Sequence, residues 1–282
     1  MSRPILTNRR ALSAHRARGL RSGADAFLHA EARLEVHERL QEVNRTFTKP
    51  AIVTGHPHFW GDLLPGAKII ADTDTLDLAG EAHDLIIHAM ALHWADDPVG
   101  QIIQCRRALE PDGLFLSVCF GEQTLTELRS ALAEAETLVR GGLSPRVAPM
   151  AELREMGGLL QRSDLALPVA DMSPQTVEYR DLATLIADLR AMGETNALAA
   201  RDPRPLSRRI WNETKKTYAT HFPGTNAAYR VSFDLIFLTG WAPADTQQHP
   251  LRPGSAKTRL ADALGVVEFD PTKKPVNDAN SD

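Results

Sequence analysis

The sequence predicts an α/β fold built on a mostly parallel sheet. Short apolar, β-branched segments alternate along the chain with amphipathic segments of helical period, a pattern typical of βαβ units. The 282 residues, 43% hydrophobic and 24% charged, suffice for one large domain. The formal net charge of −4 argues against a general nucleic-acid or lipid surface. No apolar run approaches the ~20 residues that a membrane-spanning helix needs.

Residues 1–48 are predicted to form an N-terminal helical region. Residues 1–24 contain many arginines and no acidic residue, as mitochondrial targeting peptides do. Thr7 and Asn8 nevertheless precede a segment that looks like a capped helix start, and apolar positions continue the helical period to about residue 43. We therefore predict that this segment is part of the folded protein. The preference for arginine over lysine, with abundant alanine, suggests a bacterial source.

The first half of the remaining chain is predicted to alternate regularly between strands and helices. The strands are apolar runs that end at glycine, acidic or proline-containing turns, and the helices follow those turns. The predicted strands are 50–55, 67–71, 84–89 and 114–120, and the predicted helices are 59–64 and 99–109.

The second half is predicted to be richer in helix. The helices are 124–139, 151–162, 182–192 and 206–221, and the strands are 165–169, 176–179 and 228–241. The main domain then covers residues 49–242, with a helical insertion at about 180–225. Residues 243–282 are predicted to be an extended, partly disordered tail, because they are rich in proline and polar residues.

The two cysteines, Cys105 and Cys119, form no CxxC pair. Two buried thiols without a disulfide framework are typical of a reducing compartment, so the sequence predicts a cytoplasmic protein.

Two segments resemble the class I S-adenosylmethionine (SAM) methyltransferases. Residues 84–97 are similar to the fourth strand and following loop of that fold, and residues 107–116 to the turn that leads into its fifth strand. Other segments resemble the methyltransferase-like assembly factors of respiratory complex I, and the chain is more distantly similar to malonyl-acyl-carrier-protein methyltransferases. These segments are 92–94, 120–129, 142–149, 192–197, 239–241 and 253–256.

The resemblance implies a Rossmann-like class I methyltransferase sheet that is one strand–helix unit short. Residues 55–67 leave room for only one short helix between the first two predicted strands. The turn after the first strand contains one glycine, Gly55, where the family has several to let backbone amides approach SAM. Asp72 resembles the acidic loop that contacts adenine, and Asp74 lies beside it; if the register of the chain has shifted, these aspartates contact ribose instead. A solvated acidic loop remains the alternative for both aspartates.

The same resemblance suggests further ligand-binding residues. Met90 and His93 fall in the loop that contacts the cofactor in the family. An arginine-bearing substrate would suit carboxylates and aromatic walls, which makes Glu122, Glu194 and Tyr229 the substrate-binding candidates. No catalytic residue is assigned. Histidines are frequent between residues 56 and 93, but no facial-triad spacing is evident, so no metal site is predicted.

Three functions are compatible with these observations. The first is a SAM-binding enzyme that modifies a protein side chain, by methyl transfer or by the arginine hydroxylation associated with the assembly factors. The second is a non-catalytic scaffold that binds a respiratory complex I subunit, which the reduced glycine turn favours. The third, a small-molecule methyltransferase, is less favoured because residues 206–241 resemble the assembly factors.

Overall fold

The computed structural model describes residues 5–23 and 26–247, which contain eight α-helices and six strands. The first half consists of α1 (Arg9–Ser22), α2 (Phe27–Glu42), β1 (Pro50–Thr54), α3 (Pro57–Trp60), β2 (Lys68–Ile70), β3 (His83–Ala89), α4 (Pro98–Ala108) and β4 (Leu109–Gly121). The second half consists of α5 (Thr126–Arg140), α6 (Leu153–Arg162), β5 (Ala166–Tyr179), α7 (Leu182–Ala191), α8 (Arg208–His221) and β6 (Tyr229–Trp241). Within these ranges no helix is long and apolar enough to span a membrane.

The six strands form one sheet in the order β2-β1-β3-β4-β6-β5. The pairs β1–β2, β1–β3 and β3–β4 are parallel, whereas β6 runs antiparallel to both of its neighbours. The predicted Rossmann-like α/β class is therefore confirmed. Only the four-residue helix α3 separates β1 from β2, in keeping with the predicted missing strand–helix unit.

Both faces of the sheet are covered by helices, so its central strands are buried throughout. Leu85 and Ile87 of β3 pack on the side that carries α2, α5, α7 and α8, whereas Ile86 packs on the side of α4 and α6. This alternation is the two-residue period of a strand. It explains why β1 and β3 appear in the sequence as continuous apolar runs.

One predicted feature of the sheet is wrong. Residues 165–169 and 176–179 are not two short strands but parts of the single strand β5. The apolar pattern is interrupted because β5 lies at the edge of the sheet and is largely exposed. Proline is tolerated on an edge strand, and Pro174 pairs there with Asp234 of β6.

The helix caps follow the sequence signals closely. Asn8 accepts a hydrogen bond from the backbone N–H of Ala11, and Asp97 accepts one from that of Gly100. The predicted N-terminal helical region contains α1 and α2, and the predicted insertion contains α7 and α8. The boundaries of the three predicted domains remain predictions. The tail lies outside the described residues from position 248 onward.

His88 makes stability depend on pH. Burial lowers the pKa of His88 from 6.5 to about 4, although its Nε2 lies 2.8 Å from Gln101 Oε1. Between these two pH values the unfolded chain binds a proton that the folded protein does not, so stability falls as pH falls. Denaturant unfolding at pH 7 and pH 4 should show about 3 kcal/mol less stability at the lower pH from this residue.

The matched variant is His88→Gln, whose side-chain N–H takes the position of the His88 Nε2 donor to Gln101 but does not titrate. Its loss of stability between the two pH values should be smaller than that of the unmodified protein by about the same amount. An unchanged loss in the variant would contradict a buried, neutral His88.

Candidate functional site

Arg16 of α1 lies at the carboxyl edge of the sheet, where the sequence places the cofactor. Its Nη1 is 2.9 Å from both carboxylate oxygens of Asp72, and both side chains are only 10% exposed. The guanidinium also covers Gly55, because a Cβ at that position would lie 1.9 Å from Arg16 Nη1. Glycine at position 55 therefore makes room for an arginine of the same chain.

The second predicted acidic residue is also paired with α1. Arg9 Nη2 is 3.3 Å from Asp74 Oδ1, and Arg9 Nη1 donates to the backbone carbonyl of Asp72 at 3.0 Å. A cleft of about 520 Å³ lies beside these groups and has the volume of a ligand site. However, its acidic groups and the open face of Gly55 already contact arginines. The residues present therefore do not fit SAM in the way that the family resemblance implies.

Met90 lies in a strained turn at the end of β3, and His93 follows shortly after it. Met90 has a φ of 48°, a left-handed conformation that is unfavourable for a residue with a long side chain, and it is fully buried. The turn leads into a 3₁₀ helix, Leu92–Trp94, that carries His93. Such strain persists only where the surrounding structure enforces it, and here it aims His93 at another segment of the chain.

Glu194 is the residue that His93 meets. Its Oε2 lies 3.1 Å from His93 Nε2 and accepts a hydrogen bond from Trp94 Nε1 at 2.7 Å. Glu194 follows Gly193, which ends α7 with a φ of 76° and lies so close to Arg16 that a Cβ there would be 2.9 Å from its Cα. Glycine is thus needed at position 193 to turn the chain and place Glu194 in the interior.

Two further histidines adjoin this carboxylate. His56 Nε2 is 3.8 Å from Glu194 Oε1, and the ring of His29 lies with its centroid 4.4 Å from that of His56. His29 Nδ1 accepts a hydrogen bond from Trp60 Nε1 at 3.1 Å. His29, His56, His93 and Glu194, hereafter the His–Glu cluster, therefore come from four separate segments of the chain.

The cluster shifts the ionisation of its members. Burial alone would raise the pKa of Glu194, but the neighbouring His93, and His56 in addition, hold it well below its usual range. Burial lowers the pKa of His29 well below its usual value, and the neighbouring His56 adds to that effect. Glu194 is thus a buried anion. Burying a charge is energetically costly, and strongly perturbed buried carboxylates of this kind are typical of functional sites.

An enclosed pocket of about 210 Å³ opens on the cluster. His93 and Glu194 form part of its wall, and Phe120, Trp211 and Phe233 are among its aromatic lining residues. Arg146 also lines it, but the charge of Arg146 is compensated by Glu136 at 2.7 Å. Typical small-molecule sites occupy roughly 300–1,000 Å³, so this pocket matches one side chain better than a whole cofactor.

The other two substrate candidates lie elsewhere. Glu122 accepts a hydrogen bond from the backbone N–H of Leu153, at the start of α6. Tyr229 packs against Tyr218 of α8, with ring centroids 5.4 Å apart. Neither lines the pocket at Glu194. Of the eight residues that the sequence suggests, the structure brings only His93 and Glu194 into direct contact, and Gly55 and Asp72 meet through Arg16.

Sequence reasoning missed three residues of this region: Arg16, His29 and Trp211. All three occur in helices with ordinary amphipathic patterns, and nothing local distinguishes them from surface or core residues. The unusual density of arginines between residues 9 and 21 could have indicated a role for Arg16. The position of His29 on the apolar face of α2 was a weaker indication.

Comparison with known proteins agrees with this fold. Residues 55–117 match the family model Methyltransf_11, described as a methyltransferase domain. The part of the chain from the end of β1 into β4 is therefore similar to a methyltransferase domain. It is 37% identical over 194 residues to "Arginine-hydroxylase NDUFAF5, mitochondrial" of Dictyostelium discoideum, covering 66% of this chain and 43% of that protein. The Homo sapiens protein of the same name is 30% identical over 210 residues, covering 72% and 59%.

A second group of homologues carries a different name. The malonyl-[acyl-carrier protein] O-methyltransferase of Xylella fastidiosa is 33% identical over 186 residues, covering 66% of this chain and 60% of that protein. Both resemblances seen in the sequence are thereby confirmed. The matches span between 43% and 65% of the length of the arginine-hydroxylase homologues, so activity, substrate and partner are matters for proposal.

Proposed function

We propose that this protein binds an arginine side chain of a protein partner in the pocket beside Glu194 and takes part in hydroxylating it, with O₂ as the oxidant, a two-electron reductant from solution and water as the second product. The observation that carries the proposal is the buried, ionised Glu194 at an enclosed pocket with aromatic walls. A flat guanidinium stacks well on indole and phenyl rings, and a buried carboxylate attracts its charge. The name of the NDUFAF5 homologues supports hydroxylation over methyl transfer.

The partner that we propose is a subunit of respiratory complex I, because the sequence resembles the assembly factors of that complex. A cytoplasmic location, with the buried thiols of Cys105 and Cys119 in a reducing environment, belongs to the same proposal. SAM-dependent methyl transfer is the less supported alternative, because Arg16 covers Gly55 and neutralises Asp72.

A specific observation also supports a scaffold without turnover. The same pocket could hold an arginine of the partner simply as an anchor, as a buried hot-spot residue does in an interface. Mass spectrometry of the partner after incubation distinguishes the two functions. Gain of one oxygen on an arginine supports hydroxylation, gain of a methyl group supports the SAM-dependent alternative, and stable binding with no mass change supports the scaffold.

Calorimetric titration with N-acetyl-arginine-methylamide tests the pocket itself. We expect binding of this blocked arginine, weaker or no binding of the uncharged citrulline analogue, and no binding of SAM to the same sample. Trp211→Ala should weaken arginine binding roughly 5- to 30-fold, the equivalent of a cation–π contact of about 1–2 kcal/mol.

Trp241→Ala is the matched control for this experiment. Trp241 is also partly buried, but it is the last residue of β6, where it pairs with Leu114 of β4. An equal loss of binding in the two tryptophan variants, or citrulline bound as tightly as arginine, would count against the proposed pocket. SAM binding to the unmodified protein would restore the methyltransferase alternative.

A further inference from the structure

Four buried polar atoms of the His–Glu cluster have no hydrogen-bond partner among residues 5–23 and 26–247. One is His93 Nδ1, and the other three belong to adjoining side chains: His29 Nε2, His56 Nε2 and Glu194 Oε1. The His29 side chain is fully buried, and those of His56 and Glu194 are 1% and 4% exposed. Buried polar groups are nearly always hydrogen-bonded, so three unpartnered atoms from separate segments at one point indicate a place that receives a ligand.

The spacing and chemistry of the three atoms suit a cation. Ligand atoms of His29, His56 and Glu194 all lie within 4.8 Å of one another. In a facial triad the three ligands are mutually cis, so metal–ligand distances of about 2.1 Å place their atoms roughly 3 Å apart, and the side chains would close in by up to about 2 Å on binding. Two imidazoles and one carboxylate form the facial triad that binds non-haem Fe(II) and leaves coordination positions open.

The surroundings already hold the carboxylate in place. His93 Nε2 and Trp94 Nε1 both contact Glu194 Oε2, which leaves Oε1 directed toward His56. Metal-binding carboxylates typically have such outer hydrogen bonds, which fix their orientation. His29 lines an open cleft of about 930 Å³, and Glu194 lines the arginine pocket, so the triad lies between an entry route and the substrate.

We propose that His29, His56 and Glu194 bind one divalent transition-metal ion of the Fe(II) class. The inference deepens the proposed function, and rests on it only for the location of the substrate. Glu194 would hold the ion through Oε1, while the aromatic walls of the pocket stack on the guanidinium. An ion of this class held by three protein ligands would supply open coordination positions for oxygen chemistry.

The tautomer of His29 must change for it to bind a metal. Trp60 Nε1 can only donate, so His29 Nδ1 is unprotonated and the neutral ring carries its proton on Nε2. Histidine binds metals as the neutral imidazole, so binding through Nε2 needs the proton on Nδ1 and gives up the hydrogen bond from Trp60.

Titration of the metal-free full chain with Co²⁺ tests the site without any need for activity. Co²⁺ replaces Fe²⁺ without oxidising in air, and its visible absorption reports nitrogen and oxygen ligation. We expect one Co²⁺ per chain by calorimetry, together with a visible absorption band. His29→Ala and His56→Ala should abolish stoichiometric binding, and His93→Ala should weaken it roughly 10- to 100-fold through the orientation of Glu194.

His58→Ala is the matched control, because His58 lies two residues from His56 but is exposed and outside the triad. It should bind Co²⁺ like the unmodified protein. Absence of one-to-one binding in the folded, unmodified chain would overturn the proposal whatever the variants do. An equal loss in the His58 and His56 variants would also overturn it. Failure of arginine binding in the tryptophan experiment, with Co²⁺ bound as expected, would instead refute the proposed substrate.

Discussion

Asp72→Asn is expected to lower the free energy of unfolding by about 3–5 kcal/mol, which is the range for removing one partner of a buried ion pair. Both carboxylate oxygens accept from Arg16 at 2.9 Å, Arg9 Nη1 lies 3.5 Å from Oδ2, and neither Arg16 nor Asp72 is more than 10% exposed. Without the carboxylate, the guanidinium stays between α1 and Gly55 as an uncompensated buried charge. Urea denaturation at neutral pH, with the two-state slope compared between proteins, measures the loss.

Asp74→Asn provides the control for this effect. Asp74 also pairs with an arginine of α1, Arg9, but its side chain is 64% exposed, so the substitution should cost no more than about 1 kcal/mol. Equal losses at the two positions would show that Asp72 does not form the buried ion pair described here. A stabilised Asp72 variant would show that the carboxylate is kept for a ligand and not for the fold.

Glu136→Gln is expected to have an effect of similar size, about 3–5 kcal/mol of unfolding free energy. Glu136 Oε1 accepts from Arg146 Nε at 2.9 Å and Nη2 at 2.7 Å, and Oε2 accepts from the backbone N–H of Ser144 at 2.7 Å. Its side chain is 1% exposed. The amide that replaces it cannot accept all of these bonds, and it leaves Asp202, 3.6 Å from Arg146 Nη2, to balance the charge of Arg146.

The consequence reaches the pocket, because Glu136 holds the segment that carries Arg146 and Val147, two of its lining residues. Binding of blocked arginine should therefore weaken in the same variant. Glu134→Gln, two residues earlier on α5 and 49% exposed, should change stability by no more than about 1 kcal/mol and leave binding intact. A Glu136 variant with normal stability and binding would contradict this role.

Much of the fold followed from local patterns. Apolar, β-branched runs placed β1, β2 and β3 within one or two residues, because strands buried on both faces have few alternatives. The caps at Asn8 and Asp97 followed from residue types that accept backbone hydrogen bonds. β5 was divided wrongly, because exposure at a sheet edge removes the apolar pattern on which the prediction relied.

The sequence by itself determined the α/β class and the resemblance to a methyltransferase domain, and it identified His93 and Glu194 as candidate ligand-binding residues. Only the tertiary structure decided what those residues do. His29 and Glu194 are 165 positions apart, and Arg16 and Asp72 are 56 positions apart, so no local pattern reports their contact. They meet because α1 and the end of α7 pack over the carboxyl edge of the sheet. The energy of a buried ion pair depends on the distance between the two charges in space, and that distance cannot be read from their spacing in the sequence.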